Sequence, residues 1–577
     1  MTILLNQQQH QAVHSPATRT LVVAGAGSGK TEVMTQRVVR IARDEANPAR
    51  MLCVTFTRDA ARNMRERYAD RAGIPTTPEF GTLHSWYYRL LRRHAPRVGR
   101  TIGFSVYDPI DREDLIRACA EDVKAHEKPW ECHIRALEKH GRVTREYEQR
   151  MREGDAIDFS MMEDMALHLV TEDDVVKGQL QAKYSHIFVD EYQDVNAAQA
   201  LILADLTPSR LFVVGDARQG IYGWRGADPQ RIVEMAKEAA VELIEMPVNY
   251  RSTEPIVALA NVVIGSGFEP MRSACGPGEA VEILTGHRDQ QDQASYVGTR
   301  IATDVANGTA PGDIAVLGRT WLDVARVKNR LEEAGVPVLY LGDETDPWET
   351  PVGRGLSRAL RLVANPNDDN MARMVDAWGR TVSRNSDHRA IRNQARVDRM
   401  TVVDVLALVR RSGPWRYLWA ESQKCRERGP TKTYLSTLIP GLCDAFQAPS
   451  SAAREAIPSD VTTLDEFGEW WCDRGVAERK ALADEQAGGK VDAVTLTTVH
   501  GAKGMEWPHV HVLSACDGVY PSHRKGADPE EDRRVLYVAL TRAEKRLTVH
   551  VPKQLVTPWG ALKKAGPTPF LPRGEVR

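Results

Sequence analysis

Leu21-Val22-Val23-Ala24-Gly25-Ala26-Gly27-Ser28-Gly29-Lys30-Thr31 is the stretch that decides the fold of this chain. The apolar run Leu21–Ala24 reads as a buried strand, and the amphipathic segment Val33–Ala42 reads as a helix. Between them lies a glycine-rich turn. Strand, glycine turn and helix in that order form the phosphate loop of parallel α/β proteins. Gly25, Ala26, Gly27, Ser28 and Gly29 let backbone N–H groups turn inward onto phosphate oxygens, with the helix N-terminus behind them. Lys30 then neutralises the outer phosphates, and the Thr31 hydroxyl suits a Mg²⁺ ligand. Ala24 stands where the generic pattern has glycine.

Similar apolar runs recur outward from this unit. Strands are expected at Met51–Thr55, His186–Val189, Leu211–Val214, Val241–Ile244, Val281–Leu284 and Ile314–Leu317. Further ones are expected at Val336–Leu341, Ala493–Leu496, Val510–Leu513 and Leu547–Val551. Amphipathic segments such as Asp59–Tyr68 lie between them, which implies two parallel α/β sheets. Residues from about 78 to 180 and about 376 to 487 break the alternation and read as helical insertions. The tail after Pro552 reads as extended.

Composition narrows the function classes. A chain of 577 residues, 42% hydrophobic and 27% charged, has room for several domains with cores. A net charge of -2 supplies no global basic surface, so a nucleic-acid site has to be a local groove. Eight cysteines without a CxxC pair argue against a zinc ribbon or an iron–sulfur cluster. They fit reduced thiols. With no signal peptide and no apolar run of membrane-spanning length, a soluble cytoplasmic protein is expected.

Two further segments carry chemistry. The strand His186–Val189 runs into Asp190-Glu191, where Asp190 suits the magnesium shell and Glu191 suits a base for the attacking water. Leu211–Val214 leads into Gly215-Asp216-Ala217-Arg218-Gln219-Gly220-Ile221-Tyr222-Gly223-Trp224. Strand ends of this kind are where open α/β sheets bind ligands. Gln219 can hydrogen-bond a phosphate, and Trp224 on a glycine-flanked turn can face a nucleobase or pack inward. Phosphoryl transfer also needs positive charge on the γ-phosphate, for which Arg251 and Arg542 are the candidates.

Taken in order, these segments resemble superfamily 1 helicases of the UvrD/Rep/PcrA group, over nearly the whole chain. LNQQQ (5–9) is similar to the adenine-reading Q motif, and AGAGSGKT (24–31) is the group's own form of the phosphate loop. VTFTRDAARNM (54–64) and GTLHS (81–85) resemble motifs Ia and Ib. VDEYQD (189–194) resembles motif II, VGDARQGIYGWRGA (214–227) motif III and NYRS (249–252) motif IV. TVHGAKGME (498–506) and EEDRRVLYVALTRA (530–543) resemble motifs V and VI. The resemblance implies that Gln9 reads adenine, Tyr250 stacks on it and Glu506 contacts the ribose. Gln219, Arg251 and Arg542 would meet the γ-phosphate of ATP. Phe56, Tyr222 and Trp224 would pack on bases of single-stranded DNA, while Thr82, His84, Thr498 and His500 line its backbone path.

The resemblance also implies two RecA-like lobes, each interrupted by a helical insertion. The first lobe spans 1–77 and 181–255 around an insertion at 78–180. The second spans 256–375 and 488–555 around a short insertion at 376–487, with a tail at 556–577. The implied activity is a 3′–5′ ATP-dependent DNA helicase or single-strand translocase that uses Mg²⁺. It would act on single strands and on single-strand/double-strand junctions, as a monomer or DNA-induced dimer, with repair or replication proteins as partners. The competing class is a nucleotide-switched binding protein. Three departures stand out: Glu32 where relatives carry a basic residue, Arg218 and Gly220 in place of an acidic residue and serine, and no Gly-Ile-Gly element near Gly379-Arg380-Thr381-Val382.

Overall fold

The computed structural model describes residues 4–45, 47–123, 141–206, 210–341, 348, 350–378, 391, 394–395, 397–410, 413–446, 457, 460–474, 492–556 and 562–572. The chain divides into two compact units. One comprises residues 1–81, 178–344 and 478–577; the other comprises 82–177 and 345–477.

The first unit holds two six-stranded sheets. In the first, the order is Glu79–Thr82, Met51–Thr55, His186–Val189, Leu211–Gly215, Arg19–Ala24, Glu242–Met246. The pairs from Met51–Thr55 to Glu242–Met246 all run parallel. Met51–Thr55 and Leu211–Gly215 are buried along their whole length, as expected of strands covered on both faces. After Arg19–Ala24 the chain crosses two strands to reach its next one. The phosphate loop therefore emerges where strand order reverses, the usual ligand crevice of such sheets.

The second sheet has the order Glu282–Leu284, Ala543–His550, Trp507–Val512, Ile314–Gly318, Val494–Thr498, Val338–Tyr340, all parallel. Helices Gln290–Ala306 and Trp321–Glu333 supply Val297, Ile301, Val324 and Val327 to one of its faces. Helices Glu254–Ile264 and Pro529–Leu540 cover the other, with Ala260, Val263, Val535 and Leu536. Two parallel α/β sheets thus stand as the periodicity implied, each central strand within a few residues of its expected limits.

Beyond Pro552 the described tail residues include two extended strands. Gln554–Val556 pairs antiparallel with Leu562–Lys564, and Phe570 and Leu571 bury into the second lobe, where the Arg533 guanidinium lies 4.4 Å from the Phe570 ring.

The second unit is mainly helical, as expected for both insertions. A small parallel pair, Ser105–Tyr107 with Ala156–Asp158, interrupts the helices and is too short to leave a period in the sequence. Asp111, fully buried, accepts from Arg358 Nε at 2.8 Å and Arg361 Nη1 at 2.6 Å. This paired, hydrogen-bonded charge ties helix Pro109–Asp122 to helix Pro351–Ala364. Among the described residues, no helix is long and apolar enough to cross a membrane. Gly379–Val382 lie outside the described residues.

Candidate functional site

Three adjacent strands of the first sheet end side by side: Val189, Gly215 and Ala24. In register, Val23 faces Gly215 and Val189 faces Val213, so the segments beyond them share one edge. That edge holds the phosphate loop, Asp190-Glu191 and the Asp216–Trp224 turn. Gly27 and Gly29 have φ of 66° and 82°, a region that disfavours side chains. A Cβ on Gly27 would lie 2.7 Å from Arg251 Cβ, so only glycine lets the Asn249–Arg251 segment approach. Asn249 Nδ2 donates to Ala26 O at 2.8 Å and Tyr250 N to Gly27 O at 2.8 Å, pinning the loop. Gly29 begins helix Lys30–Asp44 without a side-chain cap, which leaves the leading N–H groups for an anion. Among the described residues, Lys30 Nζ is buried with no hydrogen-bond partner, and Glu191 stands 3.8 Å away. An orphaned ammonium beside uncapped amides fits a polyphosphate.

Glu191 adopts a left-handed backbone, φ 52°, that turns its carboxylate toward Lys30. Burial and the Glu191 charge push the Asp190 carboxyl well above its ordinary range. Burial would raise Glu191 too, but Lys30, Lys503 and the Gln193 hydrogen bond hold it below the usual range. Adjacent buried carboxylates with split proton affinities suit an ion ligand beside a base. No group of three metal-ligating side chains occurs among the described residues. Thr31, in the first turn of helix Lys30–Asp44, and Asp190, just past strand His186–Val189, carry oxygens of the kind Mg²⁺ takes.

The Asp216–Trp224 turn is gripped from the second lobe. Gln219 Nε2 donates to Asp216 Oδ2 at 2.7 Å, and Gln219 Oε1 lies 3.5 Å from Arg542 Nη2. Lys503 Nζ donates to Gln219 O at 2.9 Å and to Asp194 Oδ2 at 2.6 Å. Arg534 Nε donates to Gly220 O at 2.6 Å, and Gly223 N donates to Glu531 Oε1 at 3.2 Å. Gln193 donates to Glu191 and accepts from Asp216 N at 2.9 Å, joining the acidic pair to the turn. The sequence reading singled out none of Lys503, Arg534, Glu531 or Gln193. All four do stand inside segments quoted as motifs, Gln193 in II, Lys503 in V, and Glu531 and Arg534 in VI. Arg542 is buried, and burial followed by the Arg251 charge pushes its affinity for a proton down to about 9. A guanidinium so placed gains from an incoming anion.

On the nucleoside side, Asn6 and Gln9 form a capping box for helix Gln7–His14. Gln9 Nε2 also donates to Ser28 O at 3.0 Å, and Asn6 Nδ2 donates to the Tyr250 hydroxyl at 2.7 Å. The Tyr250 ring is 47% exposed, free to take a base on its face. Glu506 forms an ion pair with Arg251, whose Nη1 donates to Thr541 O at 3.1 Å. Glu32, the departure beside this region, accepts from Arg71 Nη1 and Gln36 Nε2, each at 2.7 Å. Burial would raise its pKa, but these two hydrogen bonds outweigh it and hold the carboxylate charged.

Comparisons with known proteins bear on the family of the chain. Residues 5–140 and 125–240 match the UvrD/REP helicase N-terminal domain, and residues 244–409 and 475–554 match the UvrD-like helicase C-terminal domain. The chain belongs to the UvrD/REP helicase family. It is 28% identical to a protein named ATP-dependent DNA helicase PcrA of Staphylococcus aureus, over 94% of this chain and 83% of that protein. The PcrA of Staphylococcus epidermidis is 27% identical over the same shares.

The helicase carries an aromatic cluster on the far side of the turn. Phe56 and Tyr222 stack with ring centroids 5.1 Å apart, and Tyr222 is only 4% exposed. Trp224 is 66% exposed, with the Arg225 guanidinium 4.5 Å from its ring. The three aromatics are therefore brought together but present unequal faces. His500 lies beside Tyr222, ring centroids 6.1 Å apart, and burial followed by Arg319 pushes its pKa down to about 4, so its ring is neutral. Thr498 Oγ1 accepts from Gly501 N at 3.2 Å. Thr82 and His84 fall in the second unit, where Thr82 caps helix Leu83–His94 through Ser85 and His84 meets Phe159 edge-on at 5.5 Å.

Proposed function

We propose that this chain, an ATP-dependent DNA helicase of the UvrD/REP type, moves 3′ to 5′ along single-stranded DNA and unwinds duplex at single-strand/double-strand junctions. The observation that carries the reading is the Asp216–Trp224 turn. One end presents Gln219 between Asp216 and Arg542, and the other presents an exposed tryptophan five residues on. A phosphate event at Gln219 thereby shares a rigid segment with a base-stacking surface.

The residues divide the work. Backbone amides of Gly25 to Gly29 and the Lys30 ammonium bind the ATP phosphates, while Tyr250 stacks on adenine and Gln9 reads its edge. Thr31 and Asp190 would hold Mg²⁺, which would neutralise charge on the phosphate oxygens. Glu191 orients the attacking water and takes its proton. Gln219, Arg251 and Arg542 stabilise the charge developing on the γ-phosphate. The Arg251–Glu506 ion pair has to open for this, which frees Glu506 for the ribose hydroxyls. Closure on ATP draws Arg542, Lys503 and Arg534 against the turn, and release of products relaxes them. Phe56, Tyr222 and Trp224 then regrip the strand while Thr82, His84, Thr498 and His500 guide its backbone. A monomer or DNA-induced dimer working with repair or replication proteins fits this scheme.

The test is ATP hydrolysis and strand displacement on duplexes with a 3′ tail, a 5′ tail or none. Expected are stimulation by single strands, preference for the 3′ tail, and near-complete loss of hydrolysis in Lys30→Ala and Glu191→Gln. Unwinding from 5′ tails alone overturns the polarity. Hydrolysis indifferent to DNA favours a nucleotide-switched binding protein instead.

A further inference from the structure

Arg218 is buried in the middle of the turn, where an unpaired charge is not tolerated. Its Nε donates to Asp216 Oδ1 at 2.7 Å, the same oxygen that accepts its own backbone N–H at 3.1 Å. The other oxygen, Oδ2, accepts Gln219 Nε2 at 2.7 Å. Asp216 is thus a fork: one tine holds Arg218 and the other holds Gln219. With its nitrogen on Asp216, the Gln219 amide has to turn its oxygen the opposite way, and Arg542 Nη2 stands there at 3.5 Å. One amide N–H of Gln219 is left to meet a phosphate.

The guanidinium reaches further. Its Nη1 donates to Glu269 O at 3.1 Å, and its carbon lies 5.6 Å from the Phe268 ring. A Cβ on Gly25 would lie 3.0 Å from Arg218 Nη2 and 3.0 Å from Met271 Sδ. Arg218 therefore backs the phosphate loop while also holding residues 268–269. Met271 is in turn the acceptor of the Tyr537 hydroxyl at 3.3 Å, on the helix that leads to Arg542.

We propose that Arg218 is a positioning residue. It locks the Asp216 carboxylate so that Gln219 points its amide between Arg542 and the phosphate loop, and it ties that orientation to Gly25 and Glu269. The inference rests on the reading of Gln219 as the group that meets the γ-phosphate. Neutral Gln at 218 removes the fork's anchor without adding bulk. Lysine keeps the charge but, as a point donor, cannot hold Asp216 and Glu269 O together.

The experiment is a double-mutant cycle in the full chain. ATP turnover with saturating single-stranded DNA is resolved into kcat and KM for R218Q, R218K, Q219A and R218Q/Q219A, with thermal melting alongside. Loss of a hydrogen bond to a charged group predicts that R218Q lowers kcat by about tenfold or more, with KM within about twofold. In the Q219A background the same change lowers kcat by less than about twofold, because its route of action is gone. R218K falls between. Should R218Q fail to melt cooperatively, R218K with R218K/Q219A completes the cycle. An equal loss in both backgrounds, a loss confined to KM, or no loss overturns the positioning role. Wild-type turnover and unwinding in Q219A itself overturns the reading of Gln219; a damaged Q219A beside a silent R218Q overturns only the role of Arg218.

Discussion

Lys503→Met is the perturbation that most directly separates stability from coupling. Lys503 Nζ sits 2.6 Å from Asp194 Oδ2, 2.9 Å from Gln219 O and 4.8 Å from the Tyr222 ring centroid. The Asp194 side chain has no solvent exposure, and burial pushes its pKa up to about 6 even with Lys503 beside it. Asp194 Oδ1 has no hydrogen-bond partner among the described residues. Methionine keeps most of the stem's volume but leaves that carboxylate buried and uncompensated. Removing one partner of a buried ion pair costs about 3–5 kcal/mol. The Asp194→Asn/Lys503→Met double variant removes the stranded charge as well, so it should recover most of that loss. Coupling is another matter, since the contacts to Gln219 O and Tyr222 are gone in both variants. Thermal melting should therefore show a large downward shift in the single variant and a small one in the double. Single-strand stimulation of ATP hydrolysis should be lost in both. A single variant that melts with the wild type, or a double variant that regains stimulation, would refute the view of Lys503 as a clamp between acidic segment, turn and aromatic cluster.

Three further expectations follow from the same geometry. Trp224→Ala removes an exposed stacking face worth about 1–3 kcal/mol per base, so binding of single-stranded DNA should weaken by about tenfold while the KM for ATP holds. Equal losses in both would return Trp224 to a packing role. In the second lobe, His287 Nε2 meets His550 Nδ1 at 3.1 Å, His550 Nε2 meets His511 Nδ1 at 3.0 Å, and the His509 ring lies 4.3 Å from that of His511. Burial, then neighbouring imidazoles with Arg300 and Arg546, drives His511 far below its ordinary pKa, and burial followed by Arg546 pushes His509 down to about 4. The unfolded chain therefore binds more protons below pH ~6.5, and stability is present above that value and lost as pH falls toward about 4, by a few kcal/mol. Replacing His511 with Gln should move the acid-unfolding midpoint, followed by circular dichroism, to lower pH; an unmoved midpoint would refute it. Finally, Gly27→Ala should raise the KM for ATP about tenfold or more, since a left-handed Cβ costs roughly 1–2 kcal/mol before its 2.7 Å clash with Arg251 Cβ. A wild-type KM would show that the loop and Asn249–Arg251 do not need their close approach.

Strands were legible in the sequence because parallel sheets bury both faces and leave continuous apolar runs. Met51–Thr55 and His186–Val189 stand to the residue. Glu79–Thr82 escaped because Phe80 is its one strongly apolar side chain, and Ser105–Tyr107 is too short for any period. Site residues on consecutive loops were legible for a different reason: glycine turns and acidic strand ends are local signals. The clamp on the turn was not. Lys503, Arg534 and Glu531 act on backbone groups 284, 314 and 308 residues away, and although they stand inside motifs V and VI, residue type alone does not show which backbone groups they meet. The unequal exposure of Tyr222 and Trp224 also belongs to tertiary packing, since both share one glycine-rich turn.

The two departures in that turn are linked by packing. A Cβ on residue 220 would stand 2.3 Å from Pro229 Cγ and 3.4 Å from Ala217 O, so serine is excluded while Pro229 keeps its place. Glycine there leaves the backbone carbonyl open, and Arg534 takes it at 2.6 Å. Losing the hydroxyl removes a local tie, and a bare glycine would loosen the segment that carries Gln219. Arg218 supplies rigidity from the other side of Gln219, through Asp216 and Glu269. The turn is thus held by a buried ion pair on one side of Gln219 and by the Arg534 hydrogen bond to Gly220 O on the other. The guanidinium of that ion pair also stands against Gly25, which puts the Arg218 side of the turn next to the phosphate loop. Ligand-dependent change in this turn should accordingly enter through Arg218 and leave through the carbonyls held by Lys503 and Arg534.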